Sequence, residues 1–246
     1  MDPSVFFVKS FSKAFEVPDK FKDKCIRSMM HESAPGVYTF DMMQPIFCDR
    51  LLSEVEYFEK WACETRFRIM RPSTMHRFGV ALDDFGMKGT LDWLMRDFIS
   101  HISKILFPDV GGCSLDSNHG YVVEYGMGRD VDLGFHVDDS EVTLNVCLGT
   151  EFTGGDLFSE EIFSCSHARG TAIIHRGFHR HGALATTSGH RFSLVMWCRR
   201  EMKKHRKGFS NDCGECERER QARLIQSVAA RKKKWFGVVG EGDDAS

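Results

Sequence analysis

No run of this 246-residue sequence comes near the ~18 consecutive apolar residues that a membrane-spanning helix requires, so no membrane association is expected. The opening segment MDPSVFFVKS has neither a basic start nor a long apolar stretch, which makes a secretory leader unexpected. Internal repeats are missing and low-complexity sequence is scarce, so nothing points to a repeat architecture. A second C-x-x-C is also missing. Cys213 and Cys216 form a single pair, and a structural zinc site needs four ligands, for which only His205 or Cys198 stand as further donors. No thioredoxin-like βαβ pattern surrounds that pair, which argues against a redox dithiol. The nine cysteines are scattered and odd in number, and without a leader they read as reduced thiols of an intracellular protein.

Net charge is nearly absent at −2, but it is unevenly placed. Residues 199–234 hold 13 Lys and Arg against 5 Asp and Glu, a balance of +8 that leaves the remainder at −10. A basic tail on an acidic body fits either a solvated helix or an anionic partner such as nucleic acid. The run Arg231–Lys234 (RKKK) fits a nuclear import signal or a nucleic-acid contact, although short basic runs are common.

What is present is ordinary for a globular chain: 42% apolar and 12% aromatic residues, mostly Phe, enough for one large domain or one domain with a tail. Residues 1–36 are mixed. GVYTF (Gly36–Phe40) reads as a short strand. PIFCDRLLSEVEYFEKWA reads as a helix from Pro45, with Ile46, Leu51, Val55, Phe58 and Ala62 at helical spacing and Phe47, Leu52 and Trp61 widening the stripe. A second helix is expected to be capped by Thr90 and to bury Leu91, Leu94, Phe98, Ile102 and Ile105, ending at Pro108. After Gly120, short runs such as YVVEY, VTLNVCL, TAIIH and FSLVMWC alternate with Gly and Asp. That pattern predicts about eight strands, with the helices packed outside a β-sandwich or jelly roll. The expected division is an N-terminal extension (1–36), a helical support region (37–118), a β core (119–200) and a basic, helical tail (201–246).

GFHVDDSEVTLNVCLG (Gly134–Gly149), taken as one alternating strand, begins with groups that are costly to bury. Residues two apart share a face, so His136 and Asp138 point together and Asp139 points away. Val142, Leu144, Val146 and Leu148 form a core face. Thr143, Asn145 and Cys147 form the opposite one, polar enough to line a cavity, and Thr143 and Asn145 become candidates to touch a bound small molecule. An imidazole and a carboxylate at i and i+2 can grip one metal ion. A third ligand is available among His175, His179, His181 and His190. Two neutral imidazoles and one carboxylate on one face form the triad that suits non-haem Fe(II) and leaves coordination positions open. A 2-oxo diacid could chelate such an ion, and Arg191 can supply the fork for its far carboxylate. His179 shares the face of His181, and a His-x-His pair with another ligand could instead bind zinc in a hydrolase or lyase, but that leaves Arg191 unexplained. His175 and His190 read as surface or packing residues.

The spacing of His136, Asp138, His181 and Arg191, together with FTGGDLF (Phe152–Phe158), resembles the prolyl-4-hydroxylase-type 2-oxoglutarate/Fe(II)-dependent dioxygenases. The segments VVEYGMGRDVDLGFHVDDSEVTLNVCLG and IIHRGFHRHGALATTSGHR and the terminal CGEC are similar to a plant subgroup, the INCURVATA/CUPULIFORMIS type of nuclear oxygenases. The resemblance covers roughly residues 35–216. It implies an α+β chain built on a double-stranded β-helix (jelly roll, cupin-like), with packing helices on the N-terminal side. It implies His181 as the third iron ligand, Arg191 as the 2-oxoglutarate anchor and Tyr125 as a further contact to that cosubstrate, the rival for Tyr125 being a core tyrosine. It implies Fe(II) and 2-oxoglutarate as cofactors, with L-ascorbate keeping the iron reduced. The activity implied is hydroxylation of a protein substrate, in this subgroup histone methyl-lysine in a chromatin complex, with a nuclear rather than cytoplasmic location. The alternative is a chromatin adaptor that keeps the fold as a binding module. Only Ser159–Arg169 separate GGDLF from GTAIIH, shorter than the resemblance leads one to expect, in a region that shapes the substrate side. Arg199 either approaches the substrate or pairs with a carboxylate.

Overall fold

The computed structural model describes residues 1–70, 72–83, 86–149, 151–159 and 168–200. The basic tail with its expected helix, Cys213, Cys216 and Arg231–Lys234, and most of the short segment after Ser159, lie outside the described residues.

The mixed N-terminal sequence folds into α1 (Pro3–Phe6), α2 (Lys9–Glu16), α3 (Asp19–Met29) and the strand β1 (His31–Ala34). The Asp2 carboxylate accepts the Ser4 N–H ahead of Pro3, which starts α1 where a missing proline N–H costs nothing. GVYTF forms β2 (Val37–Asp41), and the expected long helix is α4 (Pro45–Thr65), starting at Pro45. Its buried stripe is Cys48, Leu51, Val55 and Ala62, whereas Ile46 and Trp61, expected inside, are exposed. The next helix starts earlier than expected. α5 (Lys88–Leu94) has Met87 at its N-cap with no side-chain bond, so Thr90 lies within the helix and does not cap it. One π-helical turn (Met95–Ile99) joins α5 to α6 (Ser100–Leu106), and Leu91, Leu94, Phe98 and Ile102 are buried as the periodicity requires.

The remaining strands are β3 (Gly79–Ala81), β4 (Ser117–Gly126), β5 (Leu133–His136), β6 (Val142–Cys147), β7 (Phe152–Gly154), β8 (Leu157–Ser159), β9 (Thr171–Arg176), β10 (His181–Ala183) and β11 (Thr186–Arg199). Eight of them, β4 to β11, follow residue 116, as the strand-and-turn pattern predicts. They form two antiparallel sheets. The larger has the order β1-β2-β9-β6-β11-β4-β3, with β7 also paired to β11, and the smaller has the order β5-β10-β8. This is the expected jelly roll, a double-stranded β-helix with helices preceding it.

Gly134–Gly149 is not one strand. It breaks after His136, and β5 and β6 belong to different sheets. Asp138, Asp139 and Ser140 are turn-forming residues, and the Asp138 N–H donates to the Gly177 carbonyl (2.8 Å) instead of extending a ladder. The crossing carries the chain from the small sheet to the large one and leaves Asp138 between them.

Both faces of the large sheet are buried, for different reasons. One carries Val142, Leu144, Val146, Ile174, Leu194 and Met196 and packs with Phe7, Phe11, Leu91 and Phe98 in the main core. Each fully buried side chain of this kind contributes roughly 1.5–3 kcal/mol. The opposite face looks toward the small sheet, with Tyr121, Val123, Tyr125 and Val195 in one apolar cluster that Leu133 of β5 adjoins. Polar side chains interrupt that inner face, opposite the small sheet that carries His136 and His181.

Candidate metal centre

His136 ends β5 and His181 begins β10, and the two are directly opposed in the β5–β10 ladder. Their ring centroids are 4.4 Å apart. Each Nδ1 makes a 2.9 Å hydrogen bond to the backbone carbonyl two residues earlier, Gly134 for His136 and His179 for His181. A carbonyl only accepts, so both rings carry a proton on Nδ1, and Nε2 is the atom that each turns toward Asp138. Asp138 completes the group: its Oδ1 lies 3.4 Å from the His136 Nε2 and its Oδ2 3.8 Å from the His181 Nε2. One donor atom from each residue lies within 4.8 Å of the others, the only such group among the described residues. Donors in adjacent positions on one first-row metal ion lie about 3 Å apart, given bonds of about 2.1 Å, so the cluster is close to a ligand set. A backbone carbonyl holding the far ring nitrogen is the usual arrangement behind a metal-bound imidazole. The chemistry of the donors, two neutral nitrogens and one carboxylate, fits Fe(II).

The electrostatics favour a cation. Burial pushes the Asp138 carboxyl up, but the His136 hydrogen bond, the charges of His181 and His175 and the Thr143 hydroxyl outweigh it and hold its pKa at about 2. The Thr143 Oγ1 donates to Asp138 Oδ2 at 2.6 Å and is itself 2.8 Å from the Ser140 hydroxyl. Thr143, expected at the cosubstrate, is thus bonded to the Asp138 carboxylate. Burial lowers the pKa of His181, joined by the charge of His136. At His136 burial acts in the same direction, but bonds to Asp138 and Gly134 overcome it and raise the pKa.

The inner face of the large sheet carries a second feature. Arg191 on β11 is 1% exposed, and its guanidinium forms no direct ion pair among the described residues, the Asp156 charge acting on it only from a distance. Nη1 donates to the Gly155 carbonyl (2.6 Å), the guanidinium sits 5.1 Å over the Tyr125 ring, and Nε has no hydrogen-bond partner. Gly154 and Gly155 both have φ of +74°, and a Cβ on Gly155 would stand 3.0 Å from Arg191 Cδ. The GG pair of FTGGDLF thus turns the chain so that a bare backbone can press against the arginine. Buried polar atoms lacking partners recur on this inner face: Asn145 Oδ1, His175 Nε2, Ser193 Oγ and Trp197 Nε1. Most buried polar groups in proteins are satisfied, so a file of orphans on the face of a buried cation marks the seat of a polar, anionic ligand.

A family model described as the OGFOD2-like domain matches residues 1–112. Two Arabidopsis thaliana proteins, the 2-oxoglutarate and iron-dependent oxygenase domain-containing proteins CP2 and ICU11, are 51% and 52% identical, each across 95% of this chain. Over nearly its whole length the chain is thus similar to 2-oxoglutarate and iron-dependent oxygenases of the plant INCURVATA/CUPULIFORMIS type. It spans 64% and 63% of the length of those two relatives. The human 2-oxoglutarate and iron-dependent oxygenase domain-containing protein 2 is 37% identical over 66% of this chain and 49% of its own length. Among solved structures, the full-length Neurospora crassa protein in complex with alpha-KG superposes with a TM-score of 0.56 at 14% identity, covering 79% of this chain and 84% of that one. A prolyl 4-hydroxylase of Phytophthora capsici gives 0.53 at 13% identity, covering 92% and 78%. These two likenesses establish the shared fold.

Among the remaining candidates, Asn145 lies on the inner face as parity predicts. Tyr125 is buried there too, but its hydroxyl is 2.7 Å from the His76 Nε2. His179 does not join the trio. His190 bonds Glu124 (2.8 Å) at the outer side of β4, and Arg199 pairs with Asp139 (3.2 Å). His175, read as a surface or packing residue, is 3% exposed on the inner face, its ring edge-on to His181 at 4.5 Å. Its position two residues after Ile173 on β9 carries the parity signal that finds it. His76 has no such signal, because it lies in a segment without strand or helix periodicity.

Proposed function

We propose that the chain is a 2-oxoglutarate-dependent dioxygenase that hydroxylates a protein side chain. His136, Asp138 and His181 hold ferrous iron, and Arg191 holds the far carboxylate of 2-oxoglutarate. The observation that carries this reading is the buried guanidinium of Arg191 on the large sheet's inner face, which looks toward the small sheet that carries His136 and His181 of the two-histidine, one-carboxylate cluster. Bound iron and 2-oxoglutarate together supply the activation of dioxygen, with the 2-oxo acid leaving as succinate and carbon dioxide and one oxygen atom passing to the substrate. The chain's own work is placement. The carbonyls of Gly134 and His179 fix the two imidazoles, Thr143 fixes the carboxylate, and Gly155 fixes Arg191. Tyr121, Val123 and Val195 form an apolar wall that keeps bulk water from the pocket.

The finer reading is a methyl-lysine of a histone tail, whose hydroxylated methyl group would depart as formaldehyde, within a nuclear chromatin complex that the basic tail helps to engage. It is supported by the similarity of the inner-face segments to the plant subgroup and by the charge of residues 199–234. A non-catalytic adaptor has no use for a buried cation without a direct ion pair, so the catalytic reading stands first. The decisive experiment is succinate release from anaerobically iron-loaded protein on admission of oxygen, with ascorbate, against methylated histone and proline-containing peptides. Release of succinate coupled to loss of methyl groups is the expected result. Absence of any 2-oxoglutarate turnover, with or without peptides, defeats the proposal in favour of the adaptor.

A further inference from the structure

Tyr125 reaches the anchor of the cosubstrate pocket from β4, directly opposite Arg191 in the β4–β11 ladder. Its hydroxyl does not end there. It meets the His76 Nε2 at 2.7 Å, and the His76 Nδ1 meets the Ser73 Oγ, also at 2.7 Å. His76 is 5% exposed, and burial drives its pKa down to about 4, so the ring is neutral and carries one proton. The Ser73 hydroxyl oxygen already accepts the Met75 N–H at 3.2 Å. The arrangement that uses every proton runs inward: Ser73 O–H donates to Nδ1, and Nε2–H donates to the Tyr125 oxygen. That leaves the phenol proton to point at whatever Arg191 holds.

The ring is also held from behind. The Asp130 carboxylate accepts the N–H groups of Arg77 (2.7 Å) and Phe78 (3.3 Å), and β3 begins three residues after His76 and pairs with β4. His76 belongs to the segment covered by the OGFOD2-like match, ahead of the β-helix that carries the metal ligands.

We propose that His76 is a positioning residue for the cosubstrate: it fixes the Tyr125 phenol as a hydrogen-bond donor to the carboxylate anchored by Arg191. This rests on the reading of the site as a 2-oxoglutarate pocket. The arrangement makes the OGFOD2-like segment part of the pocket, contributing the hydrogen bond that orients the phenol.

The test measures 2-oxoglutarate binding to the full chain by anaerobic calorimetry in the presence of Fe(II), with the iron affinity and unfolding midpoint of each variant recorded alongside. His76→Phe is expected to weaken 2-oxoglutarate binding about tenfold, the weight of one hydrogen bond to a charged acceptor, with iron affinity unchanged. His76→Gln, whose amide can still donate to the phenol, is expected to recover most of that loss. In a Tyr125→Phe background the same His76→Phe change is expected to cost less than about twofold, because there is no phenol left to orient. Ser73→Ala gives a milder loss and serves if His76→Phe does not fold. Unchanged 2-oxoglutarate affinity in folded His76→Phe, or in Ser73→Ala, overturns the assignment. So does an equal loss in the two backgrounds, or a parallel loss of iron. A wild-type chain that binds iron but no 2-oxoglutarate removes the function proposed above, and the role of His76 with it.

Discussion

His136 and His181 are register partners in the β5–β10 ladder, and each anchors its Nδ1 on the carbonyl two residues before it. The small sheet thus delivers two identically oriented imidazoles from segments 45 residues apart, with no freedom of tautomer at either. Loss of either ring removes one of three ligands. His136→Ala and His181→Ala are therefore expected to lose stoichiometric Fe(II) after dialysis, measured by metal analysis. His179→Ala is expected to retain it, since His179 stands outside the ligand group. Retention by His181→Ala together with loss in His179→Ala reverses the ligand assignment.

Asp138 supplies the only negative charge of the group, and Thr143 holds it in place. Asp138→Asn is expected to abolish iron binding. Thr143→Val keeps the size of the side chain but removes the 2.6 Å hydrogen bond to Oδ2, and a partner behind a metal ligand is typically worth 10–100-fold in affinity. Iron titration is expected to show a loss of about tenfold or more for Thr143→Val and near-normal affinity for Thr143→Ser. Equal affinity in the valine variant shows that the hydroxyl serves elsewhere, on the cosubstrate side where parity first placed it.

The bond from Thr143 to Asp138 shows what the sequence could and could not convey. Alternation along VTLNVC correctly separates the core face from the pocket face, because side-chain parity within a strand is local. It cannot tell that the strand begins at Val142 and not at Gly134. A turn at Asp138–Ser140 carries the chain to the other sheet, and only that crossing puts a threonine hydroxyl on the aspartate. The trio and Arg191 are legible from spacing and from family resemblance. His76 is not, since it reaches the pocket from a loop whose position is set by Asp130 and the β3–β4 ladder. Thr90 fails as a cap for a similar reason. The burial of Leu91 and Leu94 is periodic and visible, but the helix starts one turn early at Lys88, and no side chain marks that start.

Arg191 links binding to stability with opposite signs. Burying an unpaired guanidinium is costly, and an apolar side chain of similar length removes that cost while forfeiting one bond to Gly155. Arg191→Met is expected to keep or raise the unfolding midpoint of the ligand-free chain, and to abolish the stabilisation that 2-oxoglutarate gives the wild type. Arg191→Lys, a point charge without the fork, is expected to bind 2-oxoglutarate at least about tenfold more weakly. Thermal melts with and without the cosubstrate distinguish these outcomes. A methionine variant that is still stabilised by 2-oxoglutarate shows that the anchor lies elsewhere.

Two buried histidines set the acid response of the metal-free protein. Burial, with the charge of His181, lowers the pKa of His175 to about 3, and burial lowers that of His76 to about 4. Both groups titrate near 6.5 in the unfolded chain. Between about pH 6.5 and about pH 4 the unfolded state therefore binds two protons that the folded state refuses, and stability falls as the pH falls. Each group contributes a slope of roughly 1.4 kcal/mol per pH unit across that window, so the pair removes several kcal/mol by pH 4. His181, also lowered by burial, acts in the same sense. His136 acts in the opposite one: its raised pKa gives stability that is complete below 6.5 and is lost as the pH rises through its folded value. Asp138, held at about 2, adds its own loss only below about pH 4, where its unfolded form takes up a proton. Denaturant unfolding in the presence of a chelator, repeated from pH 7 to pH 4, is expected to show this decline. His175→Leu is expected to reduce the slope by about one proton's worth, roughly 1.4 kcal/mol per unit. A variant with the wild-type slope means that the His175 ring is protonated in the folded chain, which its enclosure beside His181 on the inner face does not allow.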